Sequence, residues 1–335
     1  MSKLILNALK TIKPLIKANG VDVEKYALIE DGILYFNNGV IELEIPVDIP
    51  FNACVNLYEL ITVLDKLKGE TVIVYQDDTI QVIFEDRHYN IATLPFDTFK
   101  ARLYQFNLQP QVSCQSPQIF KQMCKIAETY VQPISDVTNI TYTHETMIIN
   151  DGFVICSDKY NIIQAMLDFG MPNGAYPLDV LVAFNKLAKY EIVGMGATEM
   201  HTMILFENGL KVYLPNFFKQ VTQFQYMKVY NALNSVWQNC QILIPDFVKT
   251  QIEMAQKISL QNVVFFNNTF CQAGNSKIEY AKFTDTQFDF KCLHKHLKIA
   301  FNNGVYFNFS ERAMSFISDT GLIRGVIGRI LSDER

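Results

Sequence analysis

A unit of one helix followed by three short alternating strands recurs along this chain, and a recurring unit constrains the fold more than any single motif does. After the helix-like NLYELITVLDKLKG, residues 71–75, 79–84 and 89–94 alternate in strand fashion, with turns at 76–78 and 85–88. After YPLDVLVAFNKLAKY come strand candidates at 191–193, 200–206 and 210–214, with Asn208 and Gly209 as a hairpin turn. The third copy starts at KCLHKHLKIAF. It continues through NNGVYFNFSERAMSFISDTGLIRGVIGRIL, with turns at 310–312 and 319–321.

Each unit is preceded by another helix and more strands. The leading helices are KLILNALKTIKPLIKAN, SPQIFKQMCKIAETY and IPDFVKTQIEMAQKI; GILYFNNGVIELEIPV, TMIINDGFVICSDKYNIIQAML and NVVFFNNTFCQAGNSKIEYAKF follow them. The chain therefore reads as three copies of a doubled unit, an α+β fold with about six helices and many antiparallel strands. Lys66, Lys186 and Lys295 recur about 110 to 120 residues apart, an ordinary domain length. Domains are expected at 1–110, 111–226 and 227–335. Pro14 is expected to kink or shorten the first helix.

The six helical segments are expected at 3–18, 54–69, 116–130, 176–190, 244–258 and 288–301. They carry fifteen of the 29 Lys and Arg, all of them lysine, but only seven of the 34 acids. The lysines are Lys3, Lys10, Lys13, Lys17, Lys66, Lys68, Lys121, Lys125, Lys186, Lys189, Lys249, Lys257, Lys291, Lys295 and Lys298. Read as a helix, KCLHKHLKIAF gathers Lys291, Lys295 and Lys298 in an arc of roughly 60°. A merely solvated helix face mixes signs, because opposite charges at i,i+4 attract and like charges repel. One sign repeated over six helices points to a polyanion, and phosphate is the natural one. Lysine, a flexible point charge, suits contact that ignores sequence, whereas arginine, suited to reading guanine, is absent from these segments. The formal net charge of -5 conceals this segregation.

Seven cysteines, odd in number and never spaced CxxC, point to reduced thiols in a cytoplasm. No run approaches the ~20 apolar residues that span a bilayer. The N-terminal MSKLILNALKTIKPLIKANG lacks the uninterrupted apolar stretch and cleavage site of a secretory signal. A membrane-surface helix remains an alternative reading of it. His294 and His296 flank no metal site with Cys292, because i,i+2 spacing on a helix points side chains about 200° apart. They are set aside as chemistry. None of the phosphate-loop, nucleophile-elbow, dinucleotide or HExxH patterns is present. A metal-dependent nuclease with dispersed carboxylates and a viral DNA-binding protein that does not encircle DNA stay open as alternatives.

The order of the repeats resembles the three-domain DNA polymerase sliding clamps of the bacterial beta-clamp type, in a divergent form for which a viral source is one reading. TIQVIFEDRHYNIATLPFDTF is similar to the end of a clamp first domain, INDGFVICSDKYNII to the second-domain strand that ends in Thr-Asp-Gly-His-Arg-Leu, and GLIRGVIGRIL to the closing strand. The resemblance implies a head-to-tail homodimeric ring around double-stranded DNA, with two helices of each domain on the inner face and antiparallel sheets outside. Neither enzymatic activity nor a cofactor is implied. The lysines listed above, from Lys10 to Lys298, would face DNA. A partner-peptide pocket would be formed by Ser157, Asp158, Lys159, Tyr160, Asn161 and Ile162 with Val326, Ile327, Gly328, Arg329, Ile330 and Leu331. The family's Gly-His-Arg is here Lys159, Tyr160 and Asn161, and its Met-Pro-Met is Ile327, Gly328 and Arg329. Partners implied are a DNA polymerase, other proteins with clamp-binding motifs and a clamp loader, all in the cytoplasm (the host's, for a virus).

Overall fold

The computed structural model describes residues 3–16, 22–67, 71–95, 116–135, 144–158, 160–167, 172–187, 189–221, 233–234 and 236–331. The first repeat runs α1 (Lys3–Ile12), β1 (Tyr26–Glu30), β2 (Ile33–Asn37), β3 (Glu42–Pro46), β4 (Ala53–Asn56), α2 (Leu57–Lys66), β5 (Val72–Gln76), β6 (Thr79–Phe84) and β7 (Arg87–Leu94). The second runs α3 (Pro117–Tyr130), β8 (Thr146–Asn150), β9 (Phe153–Ser157), β10 (Ile162–Met166), β11 (Gly174–Pro177), α4 (Leu178–Asn185), β12 (Ile192–Ala197), β13 (His201–Phe206) and β14 (Lys211–Pro215). After a two-residue strand, β15 (Ile242–Leu243), the third runs α5 (Asp246–Ser259), β16 (Val263–Asn267), β17 (Phe270–Ala273), β18 (Ser276–Glu279), β19 (Asp289–Leu293), α6 (His294–Asn303), β20 (Tyr306–Phe309), β21 (Ala313–Ile317) and β22 (Ile323–Gly328).

Strand registers make the repeat concrete. Leu28 on β1 lies opposite Cys54 on β4, Ile148 on β8 opposite Ala175 on β11, and Phe265 on β16 opposite Lys291 on β19. Three residues after Cys54, Ala175 and Lys291 a helix begins, at Leu57, Leu178 and His294. Each copy then returns to the same strand: Leu94 lies opposite Cys54, the Phe217 amide donates to the Ala175 carbonyl at 3.0 Å, and the Ile330 amide donates to the Lys291 carbonyl at 2.8 Å.

Two compact units divide the chain, and the sheets define them. One comprises Met1–Pro117 and Asp179–Asn216, the other Gln118–Leu178 and Phe217–Arg335, so the second repeat is shared between them. The first unit holds a ten-stranded sheet of order β12-β13-β14-β3-β2-β1-β4-β7-β6-β5. The second unit holds an eight-stranded sheet, β11-β8-β9-β10-β22-β21-β20-β15, and a four-stranded one, β18-β17-β16-β19. In both units a closing strand pairs antiparallel with the third strand of the preceding repeat: β14 with β3, and β22 with β10.

The leading helices bury matching positions. Ile5, Leu9 and Ile12 of α1, Phe120, Cys124 and Ala127 of α3, and Val248, Ile252 and Ala255 of α5 keep i, i+4, i+7 spacing and are buried. Burying each of the larger side chains contributes roughly 1.5–3 kcal/mol. In the third repeat Phe266 meets Phe288, Phe290, Phe301 and Phe309 edge-on at 5.6 to 6.1 Å, the geometry that ring quadrupoles favour.

Three helix expectations need correction. Residues 54–56, 176–177 and 289–293, read as helical starts, are the ends of strands β4 and β11 and the whole of β19. In β19 the burial alternates, with Phe290 and Cys292 inward, and the strand pairs with β16 along its length. That two-residue period overrides the lysine spacing. Lys291 therefore sits on a strand. Helix α4 ends at Asn185, so Lys186 and Lys189 fall in the turn beyond it. Pro14 acts as expected: α1 stops at Ile12 and a 3-10 turn, Lys13–Leu15, follows. The hairpin at Gly209 takes φ +80, open to glycine without strain.

Candidate nucleic-acid interface and partner pocket

The basic residues are placed by the polar faces of the helices. In the first unit Lys10 lies in the last turn of α1 and Lys66 ends α2, both exposed, where a cation also complements the helix dipole. Helix α2 starts on a reciprocal cap. Asn56 accepts from the Glu59 amide and its own amide donates to the Glu59 carboxylate, each at 3.2 Å. Lys13 meets Asp65 of α2 at 2.5 Å, with both side chains about half exposed. Lys186 and Lys189 are exposed, and Lys189 lies 4.9 Å over the Tyr190 ring.

In the second unit Lys125 on α3 and Lys257 on α5 are exposed, Lys121 is half-buried, and Lys249 pairs with Asp246 at 3.1 Å. On α6 the expected three-lysine stripe contracts to two: Lys295 and Lys298 are exposed while His296, Leu297 and Ala300 are buried. Lys291 is half-buried on β19. Lys17 and Lys68 lie outside the described residues, as does the side chain of Lys3.

The two halves of the expected pocket meet in the second unit. Strand β10 pairs with β22, with Ile162 opposite Val326. The loop before β10 is an Asx-type turn. The Asp158 carboxylate accepts from the amides of Tyr160 at 3.2 Å and Asn161 at 2.9 Å and from the Asn161 side chain at 2.8 Å. The Asn161 side-chain oxygen in turn accepts from the Gly328 amide at 3.0 Å, tying the turn to β22. Tyr160 projects from the turn 75% exposed, and Leu331 is also exposed; Ile327 is buried. Lys159 lies outside the described residues.

Three features here are absent from the sequence reading. His296, set aside there, is buried on α6 with Nε2 3.4 Å from the Asp158 carboxylate and its ring 4.9 Å from that of Tyr130 on α3. Burial holds the imidazole below its ordinary pKa, partly offset by Asp158. Trp237, the chain's single tryptophan, is buried with its indole N–H 3.4 Å from the Gly325 carbonyl, and the Arg324 guanidinium lies 5.2 Å over its ring. Beyond Gly328 an open cleft of about 700 Å³ is lined by Asn268, Phe288, Asp289, Phe309, Glu311 and Arg329. Among the described residues no cluster of three or more His, Cys, Asp or Glu could hold a metal ion. No helix among them is long and apolar enough to cross a membrane.

No protein-family model matches the chain, and no curated protein sequence matches it either. Solved structures do. The chain superposes on a Helicobacter pylori beta clamp bound to a DNA ligase peptide, with a TM-score of 0.73 at 12% identity over 98% of both chains. It superposes on the Pseudomonas aeruginosa sliding clamp, DNA polymerase III subunit beta, bound to griselimycin, with a TM-score of 0.73 at 10% identity over 98% of this chain and 97% of that one. The Bacillus subtilis DNA polymerase sliding clamp gives 0.72 at 11% over 97% of both. The α+β architecture expected from the repeats is the fold of these clamps.

Proposed function

Starting from that fold, we propose that this chain is a DNA sliding clamp: a non-enzymatic processivity factor of three clamp domains, 1–110, 111–226 and 227–335, that closes into a head-to-tail homodimeric ring around duplex DNA. The observation that carries the reading is a junction used twice within the chain and left open a third time. Positions matching Met254 and Ile258 of α5 are Ile126 and Tyr130 on α3, and Thr11 and Leu15 at the end of α1; all four of these are buried. Thr11 is hydrogen-bonded at 2.7 Å to Tyr190, just beyond α4, and Tyr130 packs on His296 of α6. On α5 the same positions are open: Met254 is 46% and Ile258 63% exposed, beside exposed Phe247.

The sheet edges agree. Among the described residues β18 pairs only with β17, and β7 meets β4 only at Thr93 and Leu94, so β18 has one unpaired edge and Arg87 to Ala92 of β7 pair on one side alone, with β6. By analogy with β14 on β3 and β22 on β10, the missing partner of β18 is β7 of a second copy, and the missing partner of α5 is that copy's α2. Two such contacts close a ring, and each needs roughly 1,000 Å² or more of buried surface. Lys10, Lys13, Lys17, Lys66, Lys68, Lys121, Lys125, Lys186, Lys189, Lys249, Lys257, Lys295 and Lys298 would meet phosphates along the hole. Lys291, on its strand, is the member with the weakest claim. Loose lysine contacts of this kind permit sliding.

The turn from Asp158 to Ile162 and the end of β22 would receive peptide segments of a DNA polymerase and other partners in the cytoplasm, and a loader would open the ring. Light scattering tests the ring: a particle near twice 38.4 kDa is expected, and a strict monomer at micromolar concentration overturns the reading. Retention on circular DNA with loss on linearisation is the companion test of encirclement.

A further inference from the structure

We propose that His296 is a positioning residue for the partner pocket: from the basic helix α6 it holds Asp158, and through Asp158 and Asn161 it sets the turn that carries Tyr160 against the end of β22. The inference rests on the pocket reading above but concerns a residue that the reading does not use.

The chain of contacts is continuous and lies within one unit. His296 Nε2 stands 3.4 Å from Asp158 Oδ2, Asp158 accepts from three donors of Tyr160 and Asn161, and Asn161 accepts from the Gly328 amide. The Asp158 amide also donates to the Asn161 carbonyl at 3.1 Å, closing the turn on itself. Close packing leaves the turn little room, because a Cβ added at Gly328 would lie 3.0 Å from the Tyr160 carbonyl oxygen. A small displacement of Asp158 is therefore passed to both Tyr160 and Gly328.

The imidazole is a poor choice as mere filler. His296 is 3% exposed, and its Nδ1 and the neighbouring Tyr130 hydroxyl are buried atoms without a hydrogen-bond partner among the described residues. A leucine would fill the space with no orphaned nitrogen. What the histidine adds is a ring nitrogen, Nε2, 3.4 Å from a carboxylate that already organises the turn, a polar contact that leucine cannot make. Residues Lys295 and Lys298 project from the same helix into solvent, so the turn is anchored on the element proposed to meet DNA.

The test compares the full-length protein with H296Q, whose side-chain amide can still donate, and H296L, which cannot. Hydrogen exchange by mass spectrometry reads segments 156–165 and 322–331, and fluorescence titration reads binding of griselimycin and of the DNA ligase peptide bound by the Helicobacter pylori clamp. H296L is expected to speed exchange in both segments and to weaken binding roughly tenfold, as for loss of a polar contact to a charged group. H296Q is expected to restore both. D158N provides a second route to the same loss should H296L fold poorly. Unchanged exchange in these segments in H296L and D158N overturns the proposal, as does failure of H296Q to rescue. If exchange responds as expected while neither probe binds the unaltered protein, the positioning role stands and the pocket reading falls.

Discussion

Glu42 shows at the scale of one residue what the sequence leaves out. In GVIELEIPV the two glutamates alternate with apolar residues, so each is expected on the solvent face of a strand. Strand β14, some 170 residues away, covers that edge: Lys211 pairs with Glu44 at 2.9 Å, the Tyr213 hydroxyl donates to Glu44 at 2.7 Å, and Tyr213 lies opposite Glu42. Among the described residues Glu42 keeps one side-chain donor, Asn37 at 2.6 Å. Burial, with repulsion from Glu44 added and the Asn37 bond opposing, pushes its carboxyl up to about 7. The folded state thus holds this proton more tightly than the unfolded chain, so stability is highest below the ordinary carboxylate value and falls as pH rises from there to about 7. Because Glu42 is only half-buried, screening leaves an effect of about 1–2 kcal/mol. E42Q is expected to melt a few degrees above the unaltered protein at pH 8 and level with it near pH 4; parallel melting curves across that range would refute the assignment. His296 escaped notice for the same reason, since its partner Asp158 is remote in sequence and only the fold makes them neighbours.

Among the elements, the strands and hairpins were the most legible. Two-residue alternation between strong turn residues gave β5 to β7, β12 to β14 and β20 to β22 to within a few positions, because Asp77, Asp78 and Gly209 take the positive φ such turns need. Helix starts were less so. KCLHKHLKIAF satisfies a helical charge period and a strand burial period at once, and pairing of β19 with β16 decides for strand up to Leu293. Helix α5 reads as an ordinary amphipathic helix, but its second apolar stripe is recognisable only once Ile126 and Tyr130 are seen buried at the matching positions of α3. That comparison makes a prediction for the element. M254E with I258E places two charges where the proposed second copy packs, and a buried unpaired charge is costly. The double variant is expected to be monomeric by light scattering at concentrations where the unaltered chain is dimeric, with its melting temperature lowered only slightly. The same substitutions should unfold the protein if the stripe were core, and should change nothing if it were idle surface.

For the whole molecule, the order of repeats carried the fold where residue identity could not, since clamps only 10 to 14% identical superpose over nearly the entire chain. Burial periods and turn positions survive such divergence because many apolar residues satisfy one position, whereas charge placement answers to a ligand. The segregation of fifteen lysines into six segments is the feature most open to test in this respect. Encirclement and contact predict different salt behaviour. Binding held by phosphate contacts weakens by about 0.9 of a decade per contact for each tenfold rise in salt; a closed ring on a circle is held by topology and leaves only when an end or an opening is available. After loading on nicked circular DNA, the protein should therefore survive a high-salt wash and be lost when a restriction cut supplies ends. K125E, K295E and K298E together should reduce the amount loaded at moderate salt yet leave the lifetime on circles nearly unchanged. A lifetime on circles that shortens with salt in the unaltered protein, and further in the triple variant, would show that the lysines hold the DNA by themselves and that no ring encloses it.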